Sequence, residues 1–87
     1  MTLTVPMKIT VQLFGHYSDL FQGQPIELLA RPGSRVRDIA SQISALDTRL
    51  GNVASHCRFA VDEEYASLDT EVREGCTIAV LPPMSGG

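Results

Sequence analysis

The sequence is short of basic residues, of cysteine and of long apolar runs. Its 87 residues include seven Lys and Arg against ten Asp and Glu, which gives a net charge of −3. Only Arg31, Arg35 and Arg37 come close to a basic cluster, and no aromatic residue lies between them. Because nucleic-acid-binding domains present a basic face, we expect no nucleic-acid partner. The length is that of a single domain.

No apolar run approaches the roughly 20 residues that a membrane-spanning helix requires. Residues 1–6 also lack the basic start and the apolar core of a secretory signal peptide. We therefore expect no membrane contact and a cytoplasmic location. In that compartment the two cysteines, Cys57 and Cys76, are expected to be reduced thiols and not a disulfide framework.

The residue patterns of metal and phosphate sites are missing as well. His16 and His56 have no carboxylate or cysteine at metal-ligand spacing, except for the adjacent pair His56-Cys57. We place that pair in a strand, where neighbouring side chains point to opposite faces and cannot bind one ion. Gly15 and Gly23 lack the spacing of a phosphate-binding loop. The sequence thus predicts no metal ion and no cofactor bound by this chain.

The first half of the chain contains clear periodicity. Residues 7–14 alternate between apolar and polar side chains, which predicts a half-buried strand, and residues 26–30 form a second one. Residues 15–24 are predicted as a loop that joins these strands into an antiparallel pair. Ser34 is a candidate N-cap for the amphipathic helix that follows. The apolar positions of that helix are Val36, Ile39, Ala40, Ile43 and Leu46.

The second half alternates short strands with turns. After a connection over residues 47–55, in which Leu50 and Val53 should point inward, strands are predicted over residues 56–61, 65–68 and 76–81. The order β-β-α-β-β-β has one helix for one sheet face. It predicts an α+β fold of the β-grasp, or ubiquitin-like, type: a mixed sheet of about five strands in which the last strand lies beside the first and parallel to it.

The predicted strand order also separates the two cysteines. Strands 56–61 and 76–81 should run antiparallel, which places Cys57 and Cys76 at opposite ends of the pair, on the order of 10 Å apart and too far for a disulfide. Each shares a strand face with apolar residues, so both are interpreted as small core side chains. The domain should span residues 7–81, with residues 1–6 as a flexible extension and residues 82–87 as a flexible tail.

The last six residues have the pattern of a tail that is delivered to another protein. They run from proline beside the domain to glycine at the tip: Pro82, Pro83, Met84, Ser85, Gly86 and Gly87. Without Cβ atoms the tip can thread a narrow channel and present its α-carboxylate inside an enclosed site. Because a carboxylate is a poor electrophile, it must be activated, most simply by adenylation with ATP. Attack by sulfide or a persulfide would then give a thiocarboxylate on Gly87.

The sequence resembles the MoaD/ThiS family of sulfur carriers, and most closely its molybdopterin synthase members. The resemblance covers nearly the whole chain from Met7 and is most specific in the Pro-Pro-x-x-Gly-Gly pattern of residues 82–87. It also involves residues 9–14, 32–34, 59–62 and 68–75. It implies a non-catalytic, sulfur-donating subunit of a sulfurtransferase. Gly87 would be adenylated and converted to a thiocarboxylate, whose sulfur turns cyclic pyranopterin monophosphate into molybdopterin.

The resemblance implies several partners. An E1-like adenylyltransferase would use ATP to activate Gly87, and a sulfur donor such as a cysteine desulfurase or rhodanese would supply the sulfur. The tail would then enter the large subunit of molybdopterin synthase, with two small subunits flanking a large-subunit dimer. Phe14, Tyr65 and Leu81 point away from the helix by alternation, and they match the positions where the family places partner-facing apolar groups.

Other functions are compatible with the same ending. The chain could carry sulfur for thiamine, cysteine or tRNA thiolation, although the double proline and the long loop after the first strand favour molybdopterin over thiamine. A ubiquitin-like modifier would instead join Gly87 to a lysine of a target protein. A plain interaction module would not use the tail at all. The chemical state of Gly87 distinguishes these hypotheses.

Overall fold

The computed structural model describes residues 5–83 and contains a five-stranded mixed sheet with one long helix against one face. The strands are β1 (Met7–Leu13), β2 (Ile26–Ala30), β3 (Arg58–Val61), β4 (Glu64–Ala66) and β5 (Thr77–Leu81). The helices are α1 (Val36–Leu46) and the single turn α2 (Val53–His56). Two 3₁₀ helices, Gly15–Phe21 and Thr48–Leu50, lie in the connections.

The strands are arranged in the order β2-β1-β5-β3-β4. β1 is antiparallel to β2 and parallel to β5, with Thr10 opposite Thr77. β3 is antiparallel to both β5 and β4. The last strand therefore lies beside the first and parallel to it, which confirms the β-grasp fold predicted from the element order.

The hydrophobic core lies between α1 and the sheet. Alternate side chains of β1 and β5 face the helix and are fully buried, among them Ile9, Val11 and Ile78. Helix α1 contributes Val36, Ile39, Ala40 and Ile43, each 0% exposed. Leu50 and Val53 point inward as predicted. Leu46, the last apolar position of the predicted stripe, is instead 43% exposed because it lies at the end of the helix, beyond the edge of the core.

The N-cap of helix α1 lies one residue after Ser34, the predicted cap. Its N-cap is Arg35, whose backbone N–H donates to the Asp38 carboxylate at 2.8 Å. The next two amides, of Val36 and Arg37, donate to backbone carbonyls in the loop before β5. Backbone contacts with that loop therefore satisfy the helix start, where the sequence suggested a serine hydroxyl.

The connection after β1, predicted as a loop over residues 15–24, is helical over most of its length. Residues Gly15–Phe21 form a 3₁₀ helix. Its Tyr17 side chain is buried in the core, and Leu20 and Phe21 pack against the same core. Burial of these three side chains gives the segment a defined structure that its glycines alone did not suggest.

The third and fourth strands are shorter than predicted. Residues His56 and Cys57 do not belong to β3, because the chain forms the helical turn α2 and the Cys57 amide donates to the Val53 carbonyl at 2.9 Å. The turn before β4 has two residues, Asp62 and Glu63, and not three. Both have positive φ angles, 48° and 74°, as a two-residue type I′ hairpin turn requires.

The chain ends lie mostly outside the described residues. The predicted flexible extension over residues 1–6 and flexible tail over residues 82–87 include residues 1–4 and 84–87, which are not described. These two boundaries remain predictions. Within residues 5–83, no helix is both long enough and apolar enough to cross a membrane.

Candidate functional site

The sheet face opposite α1 carries two small residues in the middle of a cross-strand row. Consecutive partners across β1, β5, β3 and β4 in this row are Gln12, Ala79, Ala60 and Tyr65. Ala60 is buried and Ala79 is half-buried, so larger neighbouring side chains cover the middle of the row. The hollow described next lies beside this row and not on it, since its lining shares only Tyr65 with the row.

An open hollow of about 630 Å³ lies at the end of the sheet where β5 leads into Pro82 and Pro83. Its lining includes Phe14, Tyr65 and Leu81, the three residues predicted to dock on a partner, so the structure brings them together. Phe14 is 43% exposed, Tyr65 is 76% exposed and Leu81 is half-buried. Pro82 and Pro83 line the same hollow. Together the five residues form an apolar surface next to the start of the C-terminal tail. That Phe14, Tyr65 and Leu81 dock on a partner remains a prediction.

The end of β1 sets the position of Phe14. The Phe14 backbone N–H donates to the Val80 carbonyl at 3.2 Å, which extends the parallel pairing of β1 with β5 by one residue. Leu81 follows Val80 and pairs with Arg58 of β3. Three adjacent strands, β1, β5 and β3, therefore bring Phe14, Leu81 and Arg58 together at the end of the sheet from which the tail departs.

The loop after β1 holds the first residue of the tail. Gly15 has a φ angle of 62° and lies so close to the Pro82 ring that any side chain at this position would overlap it. The Ser18 hydroxyl donates to the Gly15 carbonyl at 3.0 Å. Because Tyr17 of the same 3₁₀ helix is buried in the core, this loop is fixed and in turn fixes the direction of Pro82.

The half-buried Cys57 is not an activated nucleophile. Burial raises the pKa of its thiol. The neighbouring Tyr17 phenol also has a raised pKa, chiefly through burial and then through its proximity to Cys57. Both groups are therefore neutral at physiological pH, and a thiol in this state is unreactive. This agrees with the interpretation of Cys57 as an apolar packing residue.

The second cysteine lies at the other end of the β3–β5 pair. Arg58 pairs with Leu81 and Val61 pairs with Ile78, so the residue before β3 and the residue before β5 are at opposite ends. Cys76 is buried in the core, and both cysteines are free. The antiparallel pairing on which the predicted separation of the thiols depended is confirmed.

Three polar residues of the hollow were not identified from the sequence: Ser55, His56 and Arg58. His56, which the sequence pattern predicts in a strand, instead ends the helical turn α2 and lines the hollow from there. Arg58 alternates with Phe59 and lies two positions before Ala60, so the same period that placed Phe14 could have placed it on the open face.

The ion pairs of the described residues lie outside the hollow. Arg37 pairs with Asp69, and Arg49 pairs with Asp47. Hydrogen bonds from these arginines lower the pKa of both carboxyls, that of Asp47 to about 2. Within the same range of the chain, no group of three His, Cys, Asp or Glu side chains is placed to hold a metal ion.

The predicted acyl position is not part of the described chain. Met84, Ser85, Gly86 and Gly87 lie outside residues 5–83, so the predictions of tail threading and of chemistry at Gly87 stand on the sequence. The described part ends at Pro83, beside the hollow. A ubiquitin-like β-grasp domain with an apolar hollow at the base of its C-terminal segment is the class of protein that the fold and the site define.

Comparison with known proteins assigns this domain to a family. The sequence matches the ThiS family over residues 11–87, and the chain belongs to that family. Over 57 residues it is 37% identical to the molybdopterin synthase sulfur carrier subunit of Chlamydomonas reinhardtii, an alignment that covers 63% of this chain and 69% of the relative.

Two solved structures share the fold. Small archaeal modifier protein 1 from Haloferax volcanii is 15% identical with a TM-score of 0.78, and the match covers 90% of this chain and 99% of that one. A chain from the Helicobacter pylori complex between subunits 1 and 2 of molybdopterin-converting factor is 22% identical with a TM-score of 0.65. That match covers 93% of this chain and 100% of the other. At these identities the likeness is one of fold.

Proposed function

We propose that this chain is the sulfur carrier subunit of molybdopterin synthase. Membership of the ThiS family and the 37% identity to a molybdopterin synthase sulfur carrier subunit support the proposal. The observation that carries it is the apolar hollow formed by Phe14, Tyr65 and Leu81 at the base of the tail. A carrier needs a surface of this kind, because the partner must hold the domain while the tail reaches into an enclosed site.

The chemistry begins at the Gly87 carboxylate. An E1-like adenylyltransferase joins it to the AMP portion of ATP and releases pyrophosphate. The outer sulfur of a persulfide on a donor such as a cysteine desulfurase or rhodanese attacks the acyl carbon, and the bond to AMP breaks. A second thiol then attacks the donor's inner sulfur, which leaves a disulfide on the donor and a thiocarboxylate on Gly87. Transfer of that sulfur to cyclic pyranopterin monophosphate, with water supplying the replacement oxygen, returns the carboxylate for another cycle.

The described residues have a positioning role in this cycle. The Phe14, Tyr65 and Leu81 surface binds the large subunit of the synthase, and Pro82 and Pro83 direct the tail away from the sheet toward it. Proline fixes φ and limits the directions that the following residues can take. The paired prolines thereby reduce the conformational freedom that is lost when the tail enters the partner. This domain contributes no catalytic side chain.

The proposal is tested by reconstitution. The chain is incubated with the E1-like enzyme, ATP and a sulfur donor, and its intact mass is measured; one oxygen-to-sulfur exchange at Gly87 is expected. Addition of the large subunit and cyclic pyranopterin monophosphate should then give molybdopterin. A variant without Gly87 is the control, and it should keep its melting temperature while losing both reactions.

Other results would assign a different function. Thiocarboxylate formation without molybdopterin formation places the chain in another sulfur pathway, such as thiamine, cysteine or tRNA thiolation. A ladder of conjugates linked through Gly87 to lysines identifies a protein modifier. Full molybdopterin formation by the variant without Gly87 refutes a carrier role altogether.

A further inference from the structure

The apolar hollow contains one guanidinium group. Arg58 of β3 is exposed on the open sheet face and pairs with Leu81 across the strands. It lines the hollow together with Phe14 and Tyr65. The described residues that form ion pairs are Arg37 with Asp69 and Arg49 with Asp47, so Arg58 has no carboxylate partner within residues 5–83.

None of the described residues that line the hollow is acidic. The lining consists of apolar side chains and Gly15, together with Ser55, His56 and Arg58. The charge at this surface is thus opposite in sign to the net charge of −3 of the chain as a whole. A partner that covers the hollow removes water from the guanidinium, and a desolvated charge is costly unless an opposite charge and hydrogen bonds replace the water.

We propose, on the basis of the proposed function, that Arg58 selects an acidic residue on the large subunit. The surface formed by Phe14, Arg58, Tyr65 and Leu81 binds an apolar segment of that subunit that carries an Asp or Glu opposite the guanidinium. The apolar side chains exclude water, and the carboxylate accepts two parallel hydrogen bonds from the arginine fork. The pair fixes the register of docking, because a displaced segment leaves Arg58 buried and unpaired.

The test compares charge variants in binding to the purified large subunit. Arg58→Glu should raise the dissociation constant by about tenfold or more, since it places the new carboxylate next to that of the partner's Asp or Glu. Arg58→Lys should retain part of the affinity but lose the bidentate geometry. Arg31→Glu is the matched control. Arg31 is also exposed, but it follows the end of β2 that pairs with Met7, at the opposite end of the sheet, and its reversal should change affinity less than about twofold.

Charge reversal on the partner identifies the source of the carboxylate. Each surface Asp or Glu of the large subunit is replaced in turn by Arg and tested against Arg58→Glu. One such change should bring the dissociation constant of Arg58→Glu back to within about fivefold of that of the unaltered pair. The same change should weaken binding of the unaltered chain. Failure of every reversal to restore binding overturns the inference. Thermal melts of all variants show whether each is folded.

The two proposals can fail separately. If the unaltered chain does not bind the large subunit, the proposed function fails. If it binds and Arg58→Glu binds equally well, the carrier function stands and the role of Arg58 is refuted. The salt dependence provides a second measurement, because Arg58→Leu should show a smaller loss of affinity between low and high salt than the unaltered chain does.

Discussion

Gly15 and Pro82 are in contact at the point where the C-terminal tail leaves the domain. A Cβ atom placed on Gly15 would lie 2.7 Å from Cγ of Pro82, closer than two unbonded carbon atoms can approach. The φ angle of Gly15 is 62°, in the region that glycine adopts most readily. The loop after β1 and the beginning of the tail are thus fitted to each other, and a side chain at position 15 would move the tail.

We therefore predict that Gly15→Ala impairs sulfur transfer more than it impairs stability. Gly23→Ala is the matched control, because Gly23 also has a positive φ angle but has open space around it. Both changes should cost about 1–2 kcal/mol of unfolding free energy from the left-handed backbone. Only Gly15→Ala should also slow molybdopterin formation, by about ten- to a hundredfold, because it redirects Pro82.

A second change on the tail isolates the contact. In a Pro82→Ala background the Cγ atom is gone, so Gly15→Ala should no longer slow the transfer beyond the effect of Pro82→Ala alone. Steady-state assays of the two single variants and the double variant measure this coupling. Equal effects of Gly15→Ala in both backgrounds would show that the Pro82 contact is not the cause.

Tyr65 should contribute to partner binding and little to folding. Its side chain is 76% exposed at the hollow. Leu29 is 59% exposed on the same sheet face but pairs with Lys8, far from the tail, and serves as control. Tyr65→Ala is expected to weaken binding to the large subunit by about tenfold, as central aromatic residues of interfaces do, whereas Leu29→Ala should leave it within about twofold. Titration calorimetry and thermal melts distinguish binding from stability.

The hairpin turn between β3 and β4 contains avoidable strain. Glu63 has a φ angle of 74°, which a side chain makes unfavourable, so Glu63→Gly should stabilise the protein by about 0.5–1 kcal/mol. Asp62 also has a positive φ, but its carboxylate accepts a hydrogen bond from the Thr77 amide at 2.9 Å. Asp62→Gly loses that bond and should not stabilise. Urea unfolding curves give both free energies, and a loss of stability in Glu63→Gly would contradict the interpretation.

Acid should weaken the stabilisation that Asp47 provides. Hydrogen bonds from Arg49 hold the pKa of Asp47 at about 2 in the folded protein, against an ordinary value of 3.8. The folded state therefore binds the proton more weakly than the unfolded chain, so this stabilisation is complete above about pH 4 and disappears as the pH falls through about 2.

Asp47→Asn provides the measurement, because asparagine keeps the oxygen that accepts from the Arg49 amide. The difference in unfolding free energy between the unaltered protein and Asp47→Asn should shrink from about pH 6 to about pH 2. In an Arg49→Gln background the difference should be small at both pH values, because the guanidinium is absent. A pH-independent difference would assign the effect to the turn and not to the charge.

The amino-acid sequence alone determined the strands and the long helix that make up the sheet and its cover. The alternation of apolar residues in β1 and β2, and their helical spacing in α1, are local patterns that are independent of the rest of the chain. The number and order of these elements leave few ways to cover one sheet with one helix. For that reason the parallel pairing of the last strand with the first could be predicted, and the alternation placed Phe14, Tyr65 and Leu81 on the face away from the helix.

Tertiary packing decided what the local pattern could not. Burial of Tyr17 turns residues 15–21 into a 3₁₀ helix, and the helical turn α2 delays the start of β3 to Arg58. The contact between Gly15 and Pro82 joins positions 67 residues apart in the chain. Arg58 shares the apolar hollow with Phe14 only because β5 lies between their strands. Such relationships depend on which distant segments become neighbours, and periodicity within one segment carries no information about them.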